Sequence, residues 1–81
     1  MKAKIYITLK NGIHDPQGTA VQQSLHTLGF ETVQDVRMGK ILEVDLQDTE
    51  KAAASSQIEK MCQKLLANTV IEDFRYEIVE T

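Results

Sequence analysis

Polar and apolar residues alternate from Lys2 to Leu9, with Ala3, Ile5, Ile7 and Leu9 on one side and Lys4, Tyr6 and Thr8 on the other. A period of two marks a strand with one buried face. Asp15-Pro16 then starts a helix. Aspartate accepts hydrogen bonds from the free amides of the first turn, and proline at the first helical position has no amide to leave unpaired. Val21, Leu25 and Leu28 form its apolar stripe, and Gly29 ends it in the left-handed conformation that glycine adopts freely. Phe30 leads out. Two short runs, Thr32 to Met38 and Lys40 to Leu46, flank Gly39. A glycine with positive φ between them predicts a tight antiparallel hairpin. Asp48 or Thr49 caps a second helix, in which Ala53, Ile58, Met61, Cys62, Leu65 and Leu66 recur at three- and four-residue spacing and face the sheet. That helix fades near Asn68. Phe74, Tyr76 and Ile78, alternating with Arg75, Glu77 and Val79, form a last strand.

The order β-α-β-β-α-β predicts an α+β fold, a four-stranded antiparallel sheet with two helices on one face, of ferredoxin-like type. Residues 1–81 read as a single domain without a linker, the small-residue run Ala52 to Ser56 belonging to the second helix. A chain of 81 residues buries only about 60% of its unfolded surface. Domains this small often rely on disulfides, metals or partner chains, and one cysteine excludes an internal disulfide. Open sheet edges add to the expectation of a homo-oligomer, a dimer or higher, paired through the first or the last strand.

The net charge is −3, and the nine basic residues are scattered, which argues against nucleic acid, since phosphate binding needs clustered cations. The two middle strands carry no aromatic residue on which an RNA base stacks. Met1-Lys2-Ala3-Lys4 runs straight into the alternating pattern rather than an export signal, and no stretch approaches the roughly 20 apolar residues that span a bilayer. A soluble, cytoplasmic protein without a membrane partner is expected.

Cys62 lies mid-helix on the apolar stripe, the place of a packing residue rather than a nucleophile. His14 and His26 do not share the helical face that a metal pair needs and read as surface residues. Glu43 and Asp45 mark the wet side of a strand. Gly39-Lys40 lacks the rest of a phosphate loop, with Gln34 and Ile41 at its other required positions. No catalytic residue, cofactor site or metal site is expected in this chain, and no activity in isolation.

Read in order, Leu9-Lys10, Asp15-Pro16-Gln17-Gly18, Leu28-Gly29-Phe30, Val36-Arg37-Met38-Gly39-Lys40 and the run Leu65 to Asp73 resemble the signature blocks of the PurS family over nearly the whole chain. His14 departs from the pattern, in which an aliphatic residue precedes the Asp-Pro pair. The resemblance implies a subunit that dimerises or assembles further. It would join a glutaminase subunit to a large synthetase subunit that uses ATP to convert formylglycinamide ribonucleotide to its amidine, with ammonia passing between them. Glutamine and ATP would be handled by those partners. Candidate interface residues within the blocks are Asp15, Gln17, Arg37, Gly39, Lys40, Asn68, Glu72 and Asp73. Arg37 and Lys40 are expected to project into solvent from the hairpin, where Arg37 suits a two-pronged bond to a partner carboxylate. The alternative is an amino-acid-binding regulatory domain of the ACT type, which shares the element order and has an Asp-x-Pro-Gly loop close to Asp15-Pro16-Gln17-Gly18. Proline directly after aspartate suits helix capping better.

Overall fold

In the computed structural model, which describes residues 1–80, the first alternating run becomes β1, Lys2–Leu9. It is the central strand. β2, Gly39–Asp45, and β3, Glu72–Val79, flank it in the order β2-β1-β3, both antiparallel. Ala3, Ile5 and Ile7 are fully buried on one face. In register with them stand Val44 and Leu42 on β2, and Ile78, Tyr76 and Phe74 on β3. α2, Lys51–Met61, covers this face with Ala54 and Ile58, and Cys62 follows them into the core.

α1, Pro16–Thr27, begins and ends where its signals place it. The Asp15 carboxylate accepts from the Gly18 amide at 2.8 Å. Beyond the last turn Gly29 takes φ +101°, and the amides of Gly29 and Phe30 reach back to the carbonyls of His26 and Leu25. That pair of bonds satisfies the carbonyls a helix end leaves free.

Four expectations are overturned. The sheet has three strands, not four: Thr32 lies in a turn, and the residues from there to Met38 form no strand and pair with none among the described residues. No hairpin forms at Gly39, whose φ is not positive; the shortest common hairpin loop needs two residues, and one glycine cannot reverse the chain. β1 is therefore central, so of the two strands expected at an edge only the last, β3, lies at one, with β2 at the other. Finally, α1 does not share a face with α2. It makes no extended packing with the sheet or with α2, and the arm formed by residues 10–38 stands off the body. The radius of gyration is 16.2 Å, against about 12 Å for a compact chain of this length.

The second helix also differs in detail. Glu50, not Asp48 or Thr49, precedes its first turn, with no side-chain cap, while Asp48 receives the Met1 ammonium at 2.9 Å. Ala54, not Ala53, is the buried alanine. After Met61 the helix widens into a π turn, Cys62–Leu66, in which the Ala67 amide bonds the Cys62 carbonyl at 3.0 Å. The wider turn carries Leu65 out of the stripe, leaving it 82% exposed.

Candidate assembly interface

One side of α1 presents Gly18, Gln22 and His26 at four-residue spacing, so they stack in a row along the helix. Segment 33–38 runs along that row. Gln22 Nε2 donates to the Gln34 carbonyl at 2.9 Å, and His26 Nε2 lies 2.7 Å from the Val33 carbonyl oxygen. Gly18 is buried, and a Cβ there would meet the Val36 carbonyl oxygen at 2.1 Å. The glycine allows helix and segment to touch. This seam ties α1 to its own return segment and leaves Val21, Leu28 and Phe30 facing water, Leu28 at 73% exposure. Apolar groups gathered on an unpartnered element are what an interface normally covers.

The base of the arm is fastened by two side chains. Asp15 is buried and bridges two amides: Oδ1 accepts from Gly18, and Oδ2 accepts from Met38 at 2.7 Å. The Gly18 and Met38 amides, in that order, hold its carboxyl below the ordinary aspartate range, and Arg37 and His14 nearby act in the same direction against the opposing effect of burial. Arg37 is exposed, as expected, but its guanidinium turns back onto its own chain. Its Nη1 donates to the Ile13 carbonyl at 3.0 Å and its Nη2 to the Lys10 carbonyl at 3.2 Å.

A cleft of about 230 Å³ opens where the arm leaves the sheet, lined by Asp15, Gln17, Gly39, Lys40 and Glu72 together with Met38. Candidates far apart in the chain thus meet at one place. The remaining two lie beside it with internal partners: Asn68 and Glu72 brace their own loop through the Asn68 amide and the Glu72 carboxylate at 2.7 Å, and Asp73 pairs with Lys10 at 3.1 Å. The bracing leaves Val70 79% exposed.

The sheet face away from α2 is charged and largely self-paired. Lys2 meets Glu43 at 3.3 Å, the wet-side placement its alternation implies. The Arg75 guanidinium sits 3.9 Å over the Tyr6 ring, and the Tyr6 hydroxyl bonds Glu77 at 3.0 Å, a bond that raises the phenol pKa. Tyr6 and Arg75 border a dent of about 330 Å³ with Thr8, Gly39 and Ile41. Neither this stack nor the Gly18, Gln22 and His26 seam is anticipated from the sequence, although the four-residue spacing of the seam is visible there.

Cys62 is fully buried, and burial, with Glu59 adding to it, pushes its thiol pKa up. His14 is exposed. Among the described residues no group of three or more His, Cys, Asp or Glu is placed to hold a metal ion, and no helix is long and apolar enough to cross a membrane.

Residues 2–80 match the family model for PurS, phosphoribosylformylglycinamidine (FGAM) synthase. Among curated proteins, the phosphoribosylformylglycinamidine synthase subunit PurS of Bacillus subtilis (strain 168) is 48% identical over 79 residues, covering 98% of this chain and 93% of the relative. The solved structure of B. subtilis PurS in its C2 crystal form superposes with a TM-score of 0.86 and covers 98% of both chains. A chain in the structure of PurLQS from Thermotoga maritima, 25% identical, superposes with a TM-score of 0.85 over 94% of this chain and 93% of its own length.

Proposed function

The chain belongs to the PurS family of phosphoribosylformylglycinamidine synthase subunits, and we propose that within the synthase it is a non-catalytic assembly subunit. It bridges the glutaminase subunit and the ATP-dependent synthetase subunit and supports the passage of ammonia between them, in the cytoplasm. Glutamine and ATP are consumed by those partners. The observation that carries this reading is the arm, whose helix packs extensively against neither the sheet nor α2 and whose apolar side chains Val21, Leu28 and Phe30 are exposed. Such a surface suits a part whose work is contact. The lone thiol is buried with a raised pKa, a poor start for glutaminase chemistry, which needs a thiolate.

The first contact is with a second copy. Leu42 and Val44 on β2, and Leu46 just after it, remain half-buried beside the core, and the arm supplies apolar residues to cover them. A homo-oligomer of this kind leaves the cleft at the arm base, with Gln17, Lys40 and Glu72, for the unlike subunits. Arg37 and Asp15 contribute there by holding the backbone.

Affinity purification of the chain from its native host, with mass spectrometry of what accompanies it, tests the partners. Recovery of a glutaminase and a synthetase is expected, and recovery of neither would refute the assignment. In the reconstituted system, omitting this chain should abolish glutamine-dependent synthesis and spare synthesis driven by added ammonium salt. Equal loss of both would place the chain in the synthetase chemistry instead.

A further inference from the structure

We propose that the outer face of the sheet, the side away from α2, is a docking site for an unlike subunit of the synthase, and that it takes a segment carrying a carboxylate beside an apolar side chain. The inference rests on the assembly reading above and adds where, and by what chemistry, such a subunit is held. The site is built around Arg75. Its guanidinium stands 3.9 Å over the Tyr6 ring, and Tyr6 is itself fixed by the bond from its hydroxyl to Glu77 at 3.0 Å. The cation is thereby held in place without being neutralised: among the described residues no carboxylate pairs with Arg75, and its N–H groups are not engaged as those of Arg37 are. A guanidinium in that state presents a planar fork of donors, which a carboxylate fits with two parallel bonds.

Beside the cation lies room for an apolar anchor. Ile41, Tyr6 and Arg75 stand in one row across the strands, and Gly39, Thr8 and Asp73 in the next. Gly39 adds no side chain to its row, where a Cβ would come within 2.8 Å of the Ile7 carbonyl oxygen and 3.0 Å of the Thr8 methyl carbon. The gap it leaves is the dent of about 330 Å³, and Ile41, 62% exposed, forms its apolar wall. A branched or aromatic side chain of a partner is covered there, with Arg75 in reach of a carboxylate close along the same segment.

Charge and position decide the occupant. In a two-fold contact between copies each surface meets its own likeness, so each Arg75 would need a free carboxylate from the same face. Asp73 is paired with Lys10 at 3.1 Å, Glu77 accepts from Tyr6, and Glu43 is paired with Lys2 at 3.3 Å, while Asp45 stands at the far end of β2. The face offers a cation and little near it to receive one, which suits an acidic partner of different sequence. Gly39 and Lys40 line both this dent and the cleft at the arm base, so the outer face continues the surface left to the unlike subunits, on the side of the sheet opposite Leu42 and Val44.

The test uses the full chain reconstituted with the glutaminase and synthetase subunits. Arg75→Glu should weaken assembly by about thirtyfold or more, the loss expected when one member of a hydrogen-bonded charge pair in an interface is lost. Arg75→Lys, which keeps the charge but not the fork, should fall between that variant and the unmodified chain. Ile41→Asp should weaken assembly through the apolar anchor alone. Each variant by itself should keep the circular dichroism and the sedimentation of the unmodified chain. A photo-reactive residue in place of Ile41 reads the contact directly: in the assembled complex it should cross-link to an unlike subunit, at a segment holding Asp or Glu within a few residues. If Arg75→Glu fails to fold, Ile41→Asp and the cross-link decide. Assembly indifferent to these substitutions, or cross-links absent or confined to a second copy of this chain, would overturn the docking site and leave the assembly reading in place. If the unmodified chain recruits neither subunit, that reading fails and the docking site with it.

Discussion

Replacing Gly18 with alanine should loosen the arm, although alanine is the better helix former. Exchanging a helical glycine for alanine gains up to about 1 kcal/mol in intrinsic propensity. Against this, the new Cβ would lie 2.1 Å from the Val36 carbonyl oxygen and 3.0 Å from the Asp15 carboxylate. Carbon and oxygen rarely approach closer than about 3.3 Å, so α1 and segment 33–38 must part by about 1 Å. That opening stretches the bonds that Gln22 and His26 make to the segment, now 2.9 and 2.7 Å. At about 1 kcal/mol each, their loss outweighs the propensity gain, and displacement of a backbone carbonyl adds to it. The net effect is about 1–2 kcal/mol against the docked arm, a five- to thirtyfold change in its opening equilibrium. Hydrogen exchange followed by mass spectrometry reads this directly. Peptides covering 16–38 should exchange faster by that factor, while those of β1 keep their protection. Unchanged or greater protection of the arm, with a raised melting temperature, would refute the packing argument for this glycine.

Other consequences concern the core and the titrating groups. Ile58 is fully buried between α2 and the sheet, so Ile58→Ala should destabilise the fold by about 2–5 kcal/mol in denaturant titrations, and a change below about 1 kcal/mol would show that this face is not the core. The Asp15 carboxyl is held below its ordinary value of 3.8 by the Gly18 and Met38 amides. Its contribution is therefore complete above that pH and disappears as the pH falls through the lower, folded-state value. Amide shifts of Gly18 and Met38 should move only below about pH 4, Asp15→Asn should remove the transition, and a midpoint above pH 4 would contradict the geometry. Cys62 should react with a thiol reagent only as fast as the protein unfolds, because its thiol is buried with a raised pKa; Cys62→Ala should keep glutamine-dependent turnover in the reconstituted complex, and its abolition with assembly intact would make the thiol catalytic.

The elements that could be read in advance are those whose signal is local. The alternation of β1, the Asp-Pro start and glycine stop of α1, and the three- and four-residue spacing in α2 all describe how a segment meets its immediate surroundings. Segment 32–38 shows where such reading stops: it reads as a strand but forms none, because a local pattern carries no information about whether a partner strand is within reach. One residue of loop length decided that, through Gly39. The candidate residues behaved similarly. Asp15, Gln17, Gly39, Lys40 and Glu72 do converge on one cleft, because the Asp-Pro block and the Gly-Lys block sit at the two crossings between arm and sheet. Arg37 is exposed as expected, but its guanidinium is engaged by carbonyls of its own chain, which no local pattern announces. The Gly18, Gln22 and His26 seam escaped notice because it is polar, and patterns of apolar residues say nothing about it.

The π turn at Cys62–Leu66 gives this chain a place where its length is negotiable. Up to that point the inward positions of α2 advance by four residues, Ala54 to Ile58 to Cys62; the next, Ala67, comes after five. The helix therefore accommodates one residue more than an ordinary turn needs, and its phase is restored before the chain enters β3. A deletion of the exposed Gln63 should simply convert the wide turn to an ordinary one, leaving the alanine inward. A deletion one turn earlier would rotate the helical side chains between it and the π turn by about 100°, Cys62 among them, and expose the core. Insertions and deletions that survive in chains of this architecture are thus expected to gather at the end of α2, where a single residue can be gained or lost without the rest of the fold having to answer for it.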